Sequence, residues 1–207
     1  MLPVALTLEG VPCLVVGDGP LAEGRVSTLL DACAEVAVVA ARPCAGLRAK
    51  LARGSAVHLD RPFRPGDSAG RRVVFAATRD DPLNRRVAAD ARAHGALVNV
   101  ADTPALCDFY MPAVHRAGPV TVAVSSAGTS PALAAWLRTR LAAQVGPEVG
   151  DLALVLASCR DSLRSRGGSL EDAEWASLID EAMLTAVRAG DDDAVAARVR
   201  TWMAAQP

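Results

Sequence analysis

A short run of small residues near the start of the chain has the spacing of a phosphate-binding turn. Gly17, Gly19 and Ala22 form the pattern Gly-x-Gly-x-x-Ala directly after the apolar residues 13–16, and a helix-compatible segment follows. The first glycine permits a tight turn, the second lets the backbone approach a pyrophosphate, and the alanine lets helix and strand pack closely. The alternative is a purely structural turn. The residues that we assign to a dinucleotide here are Gly17, Gly19, Pro20, Leu21 and Ala22.

The residues after two further predicted strands extend this site. An acidic residue that binds the ribose is expected about 20 residues beyond the glycine pattern, but the chain has Ala40-Ala41-Arg42 there. We expect backbone groups of Ala40 and Ala41 to line the adenosine pocket, and Arg42 leaves NADP open beside NAD. Thr78 follows the predicted strand 73–77, and we expect it to contact the cofactor.

Asp102 has the position best suited to proton transfer. It closely follows residues 97–100, a predicted core strand, and therefore comes at the carboxyl edge of the sheet, where such folds bind ligands. A carboxylate at that edge can accept a proton when a substrate loses a hydride. The alternative is a turn cap ahead of Thr103 and Pro104.

A polar turn over residues 125–130 follows the apolar residues 120–124. It ends in Ser130-Pro131, a typical N-cap and first-turn pair for a helix. The hydroxyl and N–H groups of such a turn can bind carboxylates of a substrate, and the alternative is an ordinary strand-to-helix turn. The residues that we assign to a substrate are Met111, Ser125, Ser126, Gly128 and Thr129.

The elements that must position these residues alternate over the first half of the chain. Near-continuous apolar strands alternating with amphipathic helices are typical of a parallel sheet covered on both faces. The pattern therefore predicts an α/β fold with a doubly wound, parallel, Rossmann-type sheet. Its predicted strands are residues 13–16, 36–39, 57–59, 73–77 and 97–100, its predicted helices are 22–30, 47–52 and 84–94, and residues 6–8 are expected to pair at an edge.

The pattern changes after Pro112. One more strand, residues 120–124, precedes predicted helices over 131–144, 149–163, 171–188 and 191–203. We therefore expect a nucleotide-binding domain over residues 1–112, a dimerisation and substrate segment over 113–146, and a small helical domain over 147–207.

Composition excludes several classes of protein. A formal net charge of −1 gives no global basic field for nucleic acid, and no apolar run reaches the roughly 18 residues of a membrane span. The five cysteines contain no Cys-x-x-Cys, and the three histidines are scattered, so we expect neither a disulfide framework nor a resident metal. No signal peptide is evident, and we expect a cytoplasmic protein.

Several segments, in this order, resemble the precorrin-2 dehydrogenase and sirohydrochlorin ferrochelatase family of sirohaem synthesis, which includes the N-terminal half of sirohaem synthases. The run Ser125-Ser126-Ala127-Gly128-Thr129-Ser130-Pro131 is the most specific of them, because a generic Rossmann protein does not need it. The other matching segments are residues 17–22, 76–84, 99–102 and 111–113.

The resemblance implies NAD-dependent oxidation of precorrin-2 to sirohydrochlorin, and it supports Asp102 as the catalytic residue. Some members also insert ferrous iron to give sirohaem, and members are homodimers. A narrower interpretation keeps the dehydrogenase alone. Two alternatives remain. One is a nucleotide-sensing regulatory module, which would not need the segments around Asp102 and Ser125, and the other is a degenerate paralogue, which Asp18 and Gly24 suggest.

Overall fold

The computed structural model describes residues 1–171 and 173–206. The chain forms two compact units, one made by Met1–Met111 and the other beginning at Pro112. Within the described residues, no helix is both long and apolar enough to cross a membrane.

The first unit is built around one parallel sheet. Its strand order is β3-β2-β1-β4-β5, with every neighbouring pair parallel. This is the strand order of a Rossmann-type sheet. Along the chain, the elements are β1 (Pro12–Val16), α1 (Pro20–Asp31), β2 (Glu35–Val39), α2 (Ala45–Ala52), β3 (Val57–Leu59), β4 (Val73–Ala76), α3 (Asp81–Ala93), β5 (Leu97–Val100) and a short 3₁₀ turn (Pro104–Leu106).

Side chains of β1 alternate between two apolar clusters because successive strand residues point to opposite faces. Cys13 and Val15 belong to the cluster that includes buried residues of α1 and α2. Leu14 and Val16 belong to the cluster that includes buried residues of α3. Helices therefore cover both faces, as the apolar strands predicted, and the doubly wound fold is confirmed.

The second unit joins a hairpin to a helical cluster. Gly118, with φ +53°, lies in the turn between the antiparallel β6 and β7. Buried Leu152, Met183 and Trp202 centre the helical cluster. The elements are β6 (Ala113–Ala117), β7 (Val120–Val124), α4 (Pro131–Ala142), α5 (Pro147–Ser165), a 3₁₀ turn (Trp175–Ser177), α6 (Glu181–Ala189) and α7 (Asp192–Ala204).

Two predictions about elements are wrong, one strand was not predicted, and residue 172 of the predicted helix 171–188 lies outside the described residues. Residues 6–8 form no strand. Strand β6 is absent from the sequence prediction, because its polar His115 and Arg116 lack the apolar run of a core strand. The single helix expected over residues 171–188 is replaced by a 3₁₀ turn and α6, which begins only after Asp180, whose side chain accepts a hydrogen bond from Met183 N.

Candidate functional site

The carboxyl ends of the parallel strands bring several assigned residues to one edge of the first sheet. Gly17 N donates to Val39 O at 3.1 Å and Ala77 N donates to Val16 O at 2.8 Å, so the ladder continues past the strand ends. Ala101 N donates to Ala76 O at 2.9 Å. This edge therefore carries Gly17, Ala40, Thr78 and Asp102.

The glycine turn has one crowded glycine and one open glycine. A Cβ added to Gly17, where φ is +151°, would lie 2.3 Å from Ala77 O and 3.1 Å from the Ala22 Cβ atom. An added Cβ on Gly19 would meet nothing within 4 Å. Gly19 is the N-cap of α1, no side chain caps that helix, and Pro20 occupies its first turn. The open backbone at Gly19 and the uncapped helix fit a pyrophosphate.

A cleft of about 580 Å³ opens at this edge, which is a typical size for a small-molecule site. Four of the residues assigned to the cofactor line it, namely Gly17, Ala40, Ala41 and Thr78. The sequence prediction missed Arg61 and Phe63, although the rule that residues after a strand line the edge could have found Arg61 after β3. The remaining lining residues are Val16, Asp18, Val39, Pro62, Arg79, Asp80, Leu83 and Arg86.

The end of β2 carries no carboxylate for the ribose, as the sequence predicted. Ala40 O lies 2.8 Å from His58 Nε2, so one backbone acceptor of the expected adenosine pocket is already engaged. Asp18 is exposed, and its backbone oxygen accepts a hydrogen bond from Cys44 N at 2.7 Å. That bond ties the glycine turn to the start of α2.

Thr78 is held inside a loop network. Its hydroxyl lies 2.7 Å from Oδ1 of the buried Asn84 and accepts a hydrogen bond from Asp80 N at 3.1 Å. Asp80 caps α3 by accepting a hydrogen bond from Leu83 N at 3.0 Å. These contacts give Thr78 and Asp80 a structural role at the cleft wall, and contact of Thr78 with the cofactor stays a prediction.

The cleft is also lined by an arginine that has a carboxylate partner. Arg61 donates two hydrogen bonds to Asp67, at 2.9 and 2.7 Å. The Arg61 guanidinium is the main reason that the pKa of Asp67 lies below its usual value, and the Arg64 backbone N–H lowers this pKa further. Burial acts in the opposite direction. Because Asp67 already neutralises Arg61, this guanidinium offers little uncompensated charge to a ligand.

Asp102 follows β5 with an exposed side chain and a left-handed backbone, φ +53°. Within the described residues, no protein group donates a hydrogen bond to its carboxylate. The nearby loop is held by Cys107, whose Sγ atom accepts a hydrogen bond from Val100 N at 3.2 Å. The exposed carboxylate therefore follows a turn that these contacts hold, and its role in proton transfer stays a prediction.

An aromatic group lies beside the same strand end. The Phe75 and Phe109 rings meet edge to face at 5.5 Å, and the Arg25 guanidinium lies over the Phe75 ring at 5.4 Å. Met111, which we assigned to the substrate, is partly buried and packs against the apolar cluster that contains Phe75. The sequence prediction did not assign a function to Arg25 or Phe109.

In the second unit, the polar turn closes on itself. Ser126 Oγ accepts a hydrogen bond from Ser130 N at 3.0 Å and donates one to Ser130 O at 2.9 Å. Ser130 caps α4 as predicted, by accepting a hydrogen bond from Leu133 N at 3.2 Å. Ser125 and Thr129 are exposed. The Ser126 hydroxyl is thus engaged by the backbone of Ser130. Substrate contact by Ser125, Ser126, Gly128 and Thr129 stays a prediction.

The histidines serve backbone contacts: His115 Nε2 lies 2.7 Å from Val145 O, and His94 Nδ1 lies 2.8 Å from Asp90 O. Among the described residues, no group of three or more His, Cys, Asp or Glu side chains could hold a metal ion.

Comparison with known proteins identifies both parts of the chain. The sequence model of a family described as "Putative NAD(P)-binding" matches residues 4–113, which cover the whole parallel sheet. The chain belongs to this NAD(P)-binding family. A second family, described as "Sirohaem biosynthesis protein central", matches residues 117–144. The two matches together have the arrangement of the N-terminal part of sirohaem synthases.

Similar proteins are named siroheme synthase. The protein of Methylococcus capsulatus is 44% identical over 163 residues, which are 79% of this chain and 34% of the relative. The protein of Nitrosomonas europaea is 39% identical over 196 residues, which are 93% of this chain and 41% of the relative. The chain thus spans between a third and about two fifths of the length of these relatives.

The fold of this chain is also similar to that of a solved structure. A chain titled "SirC, precorrin-2 dehydrogenase" matches with a TM-score of 0.71 and 23% identity, covering 98% of this chain and 97% of that one. At this identity the likeness shows the fold, and it includes the helical region after the sheet.

Proposed function

We propose that this chain oxidises precorrin-2 to sirohydrochlorin with NAD. The observation that carries the proposal is the exposed Asp102 carboxylate, which no described residue engages, at the same sheet edge as the open Gly19 turn. The likeness to siroheme synthases over 93% of the chain supports the substrate, and the match to an NAD(P)-binding family supports the cofactor.

The residues divide the work as follows. Gly19 and the first turn of α1 hold the pyrophosphate, and the cleft beside Ala40 and Ala41 holds the adenosine. When bound, NAD supplies the hydride acceptor. Asp102 accepts the proton that the substrate loses together with the hydride, so that oxidation yields sirohydrochlorin, reduced cofactor and one proton.

The same carboxylate supports a second activity, insertion of ferrous iron as a substrate. The macrocycle must lose pyrrole protons when the metal enters, and Asp102 accepts no hydrogen bond from the described protein. The macrocycle nitrogens would hold the iron, because the described residues contain no metal-binding cluster of their own.

We further propose that the active form is a homodimer, formed through residues 113–146. Leu133 and Trp136 are 49% and 54% exposed on α4, and β6 and β7 form a sheet of only two strands. Two-stranded sheets are marginally stable alone, and exposed apolar side chains on the adjoining helix favour a covering partner.

The five free cysteines support the cytoplasm as location.

The test is anaerobic incubation of the protein with precorrin-2 and NAD, following the absorbance of sirohydrochlorin and of NADH. Product formation that requires NAD is the expected result. Repetition with ferrous ion and sirohydrochlorin tests the chelatase, measured against the rate without protein. Nucleotide binding without any turnover would contradict the proposal and favour a nucleotide sensor or a degenerate paralogue.

A further inference from the structure

Arg25 is a partly buried arginine without an anionic partner. It lies on α1, and its guanidinium is 5.4 Å from the centroid of the Phe75 ring. In the described part of the chain, no carboxylate forms an ion pair with it and no acceptor forms a hydrogen bond with it. Burial lowers the pKa of Arg25, and the nearby Cys107 thiol offsets part of that effect.

Two other arginines of the first unit have carboxylate partners. Arg61 pairs with Asp67 at 2.7 Å, and Arg92 pairs with Asp108 at 2.9 Å. An aromatic face attracts a guanidinium but leaves its in-plane N–H donors unused. Arg25 is partly exposed, and none of its N–H donors is fully buried without a partner, so a ligand can reach them. Arg25 therefore has donor capacity that the first unit does not use.

The surroundings of Arg25 suit one class of ligand. Phe75 pairs in register with Asn99 of β5, and Asn99 Nδ2 donates to Phe109 O at 2.9 Å. This places the guanidinium and the Phe109 segment beside the strand that leads to Asp102. Met111 packs against the same apolar cluster. A flat, apolar ring bearing carboxylates would match such a combination of apolar wall and cation.

We propose that Arg25 binds a carboxylate of the polycarboxylated tetrapyrrole substrate and orients the macrocycle towards Asp102. The inference rests on the proposed dehydrogenase function and adds a specificity residue to it. Arginine suits this task because its planar donors match a carboxylate in two-point fashion.

The test compares Arg25→Gln and Arg25→Lys with the wild type. For Arg25→Gln we expect the KM for precorrin-2 and the Kd for sirohydrochlorin to rise about 10- to 100-fold, because this is the typical effect of losing one charged hydrogen bond. Arg25→Lys should give intermediate values, and it serves as the test variant if Arg25→Gln does not fold. Arg53→Gln, on an exposed arginine after α2, is the matched control and should change neither constant.

The affinity for NAD separates the two ligands that could meet Arg25. It should change by less than about twofold, since the pyrophosphate turn lies at the start of α1. A selective loss of NAD affinity, or an unchanged KM and Kd for the tetrapyrrole, would overturn the inference while the dehydrogenase proposal stands. A wild-type protein that neither oxidises precorrin-2 nor binds sirohydrochlorin would overturn both.

Discussion

Gly17 and Gly19 belong to one motif but have different physical reasons to be glycine. Gly17 has φ +151° and lies against Ala77 O, so its missing side chain serves the fold. Gly19 has φ −93° and open space around it, so no packing contact in the fold requires its missing side chain, and its contact with a pyrophosphate stays a proposal. Sequence spacing identified both positions, but only the coordinates show which of the two glycines the packing requires.

We expect Gly17→Ala to lower the free energy of unfolding by about 1–3 kcal/mol, because the new methyl group would overlap the Ala77 backbone. Gly19→Ala should leave the free energy of unfolding within about 0.5 kcal/mol of the wild type. It should weaken NAD binding by about tenfold or more, which is the effect of losing one charged hydrogen bond. Thermal unfolding and calorimetric titration with NAD measure the two effects. Equal losses of stability in both variants would contradict this division.

Asp102→Asn should lower precorrin-2 turnover by about 10²–10⁴-fold, the range for loss of a general base. Asparagine tolerates the left-handed backbone at this position, whereas alanine would add strain. The unfolding midpoint and NAD affinity should therefore stay unchanged in Asp102→Asn. Turnover that survives this substitution would remove Asp102 from the reaction.

Residue types could be predicted at the site, but their environments could not. Thr78 and Ser126 were assigned as ligand contacts because of their positions after strands. In the structure, the Thr78 hydroxyl is engaged with Asn84, and the Ser126 hydroxyl with Ser130. Arg25 received no assignment because its isolation from carboxylates is a property of packing, which spacing along the chain does not reveal.

At the scale of elements, the parallel sheet was predictable and the hairpin was not. Residues 13–16 of β1, 36–39 of β2 and 73–76 of β4 are buried on both faces and therefore read as continuous apolar runs, and in β5 only the buried Asn99 interrupts the apolar pattern. Strand β6 alternates weakly and contains polar residues, so its strand state depends on pairing with β7. The Gly118-Pro119 turn directly before the apolar residues 120–124 is the signal that could have found it.

The loop after β3 is fastened by two carboxylates, which predicts an acid-sensitive element. Asp90 of α3 accepts hydrogen bonds from Gly66 N at 2.7 Å and Ser68 N at 3.1 Å. Burial raises the pKa of Asp90, but these hydrogen bonds outweigh burial, so its pKa lies below the ordinary value. The pKa of Asp67 is also lowered, chiefly by Arg61.

Groups with lowered folded-state pKa values contribute stability above their unfolded-state pKa and lose it as the pH falls through the folded value. Asp67→Asn and Asp90→Asn should therefore each lower the free energy of unfolding by about 1–3 kcal/mol at neutral pH, and the difference should shrink in acid. Urea unfolding across pH measures this. Asp31→Asn, at an exposed side chain, is the control. A difference in the free energy of unfolding between Asp67→Asn or Asp90→Asn and the wild type that does not change with pH would contradict the interpretation.

At the scale of the whole molecule, the proposed homodimer makes a prediction about the exposed residues of α4. We expect Trp136→Glu to give a monomer in light scattering, because a carboxylate would replace an exposed aromatic ring that Arg140 covers at 4.9 Å. Trp136→Phe retains an apolar ring and should keep the oligomeric state of the wild type. A wild-type protein that is monomeric at high concentration would contradict the proposed homodimer.

The two-stranded sheet links folding to the amount of protein present. Because β6 and β7 have no third strand in the described unit, a second copy that covers this region would make local folding and assembly one equilibrium. By mass action, the thermal midpoint of the second unit would then rise with protein concentration. Dilution would reduce specific activity without any change in the chemistry at Asp102.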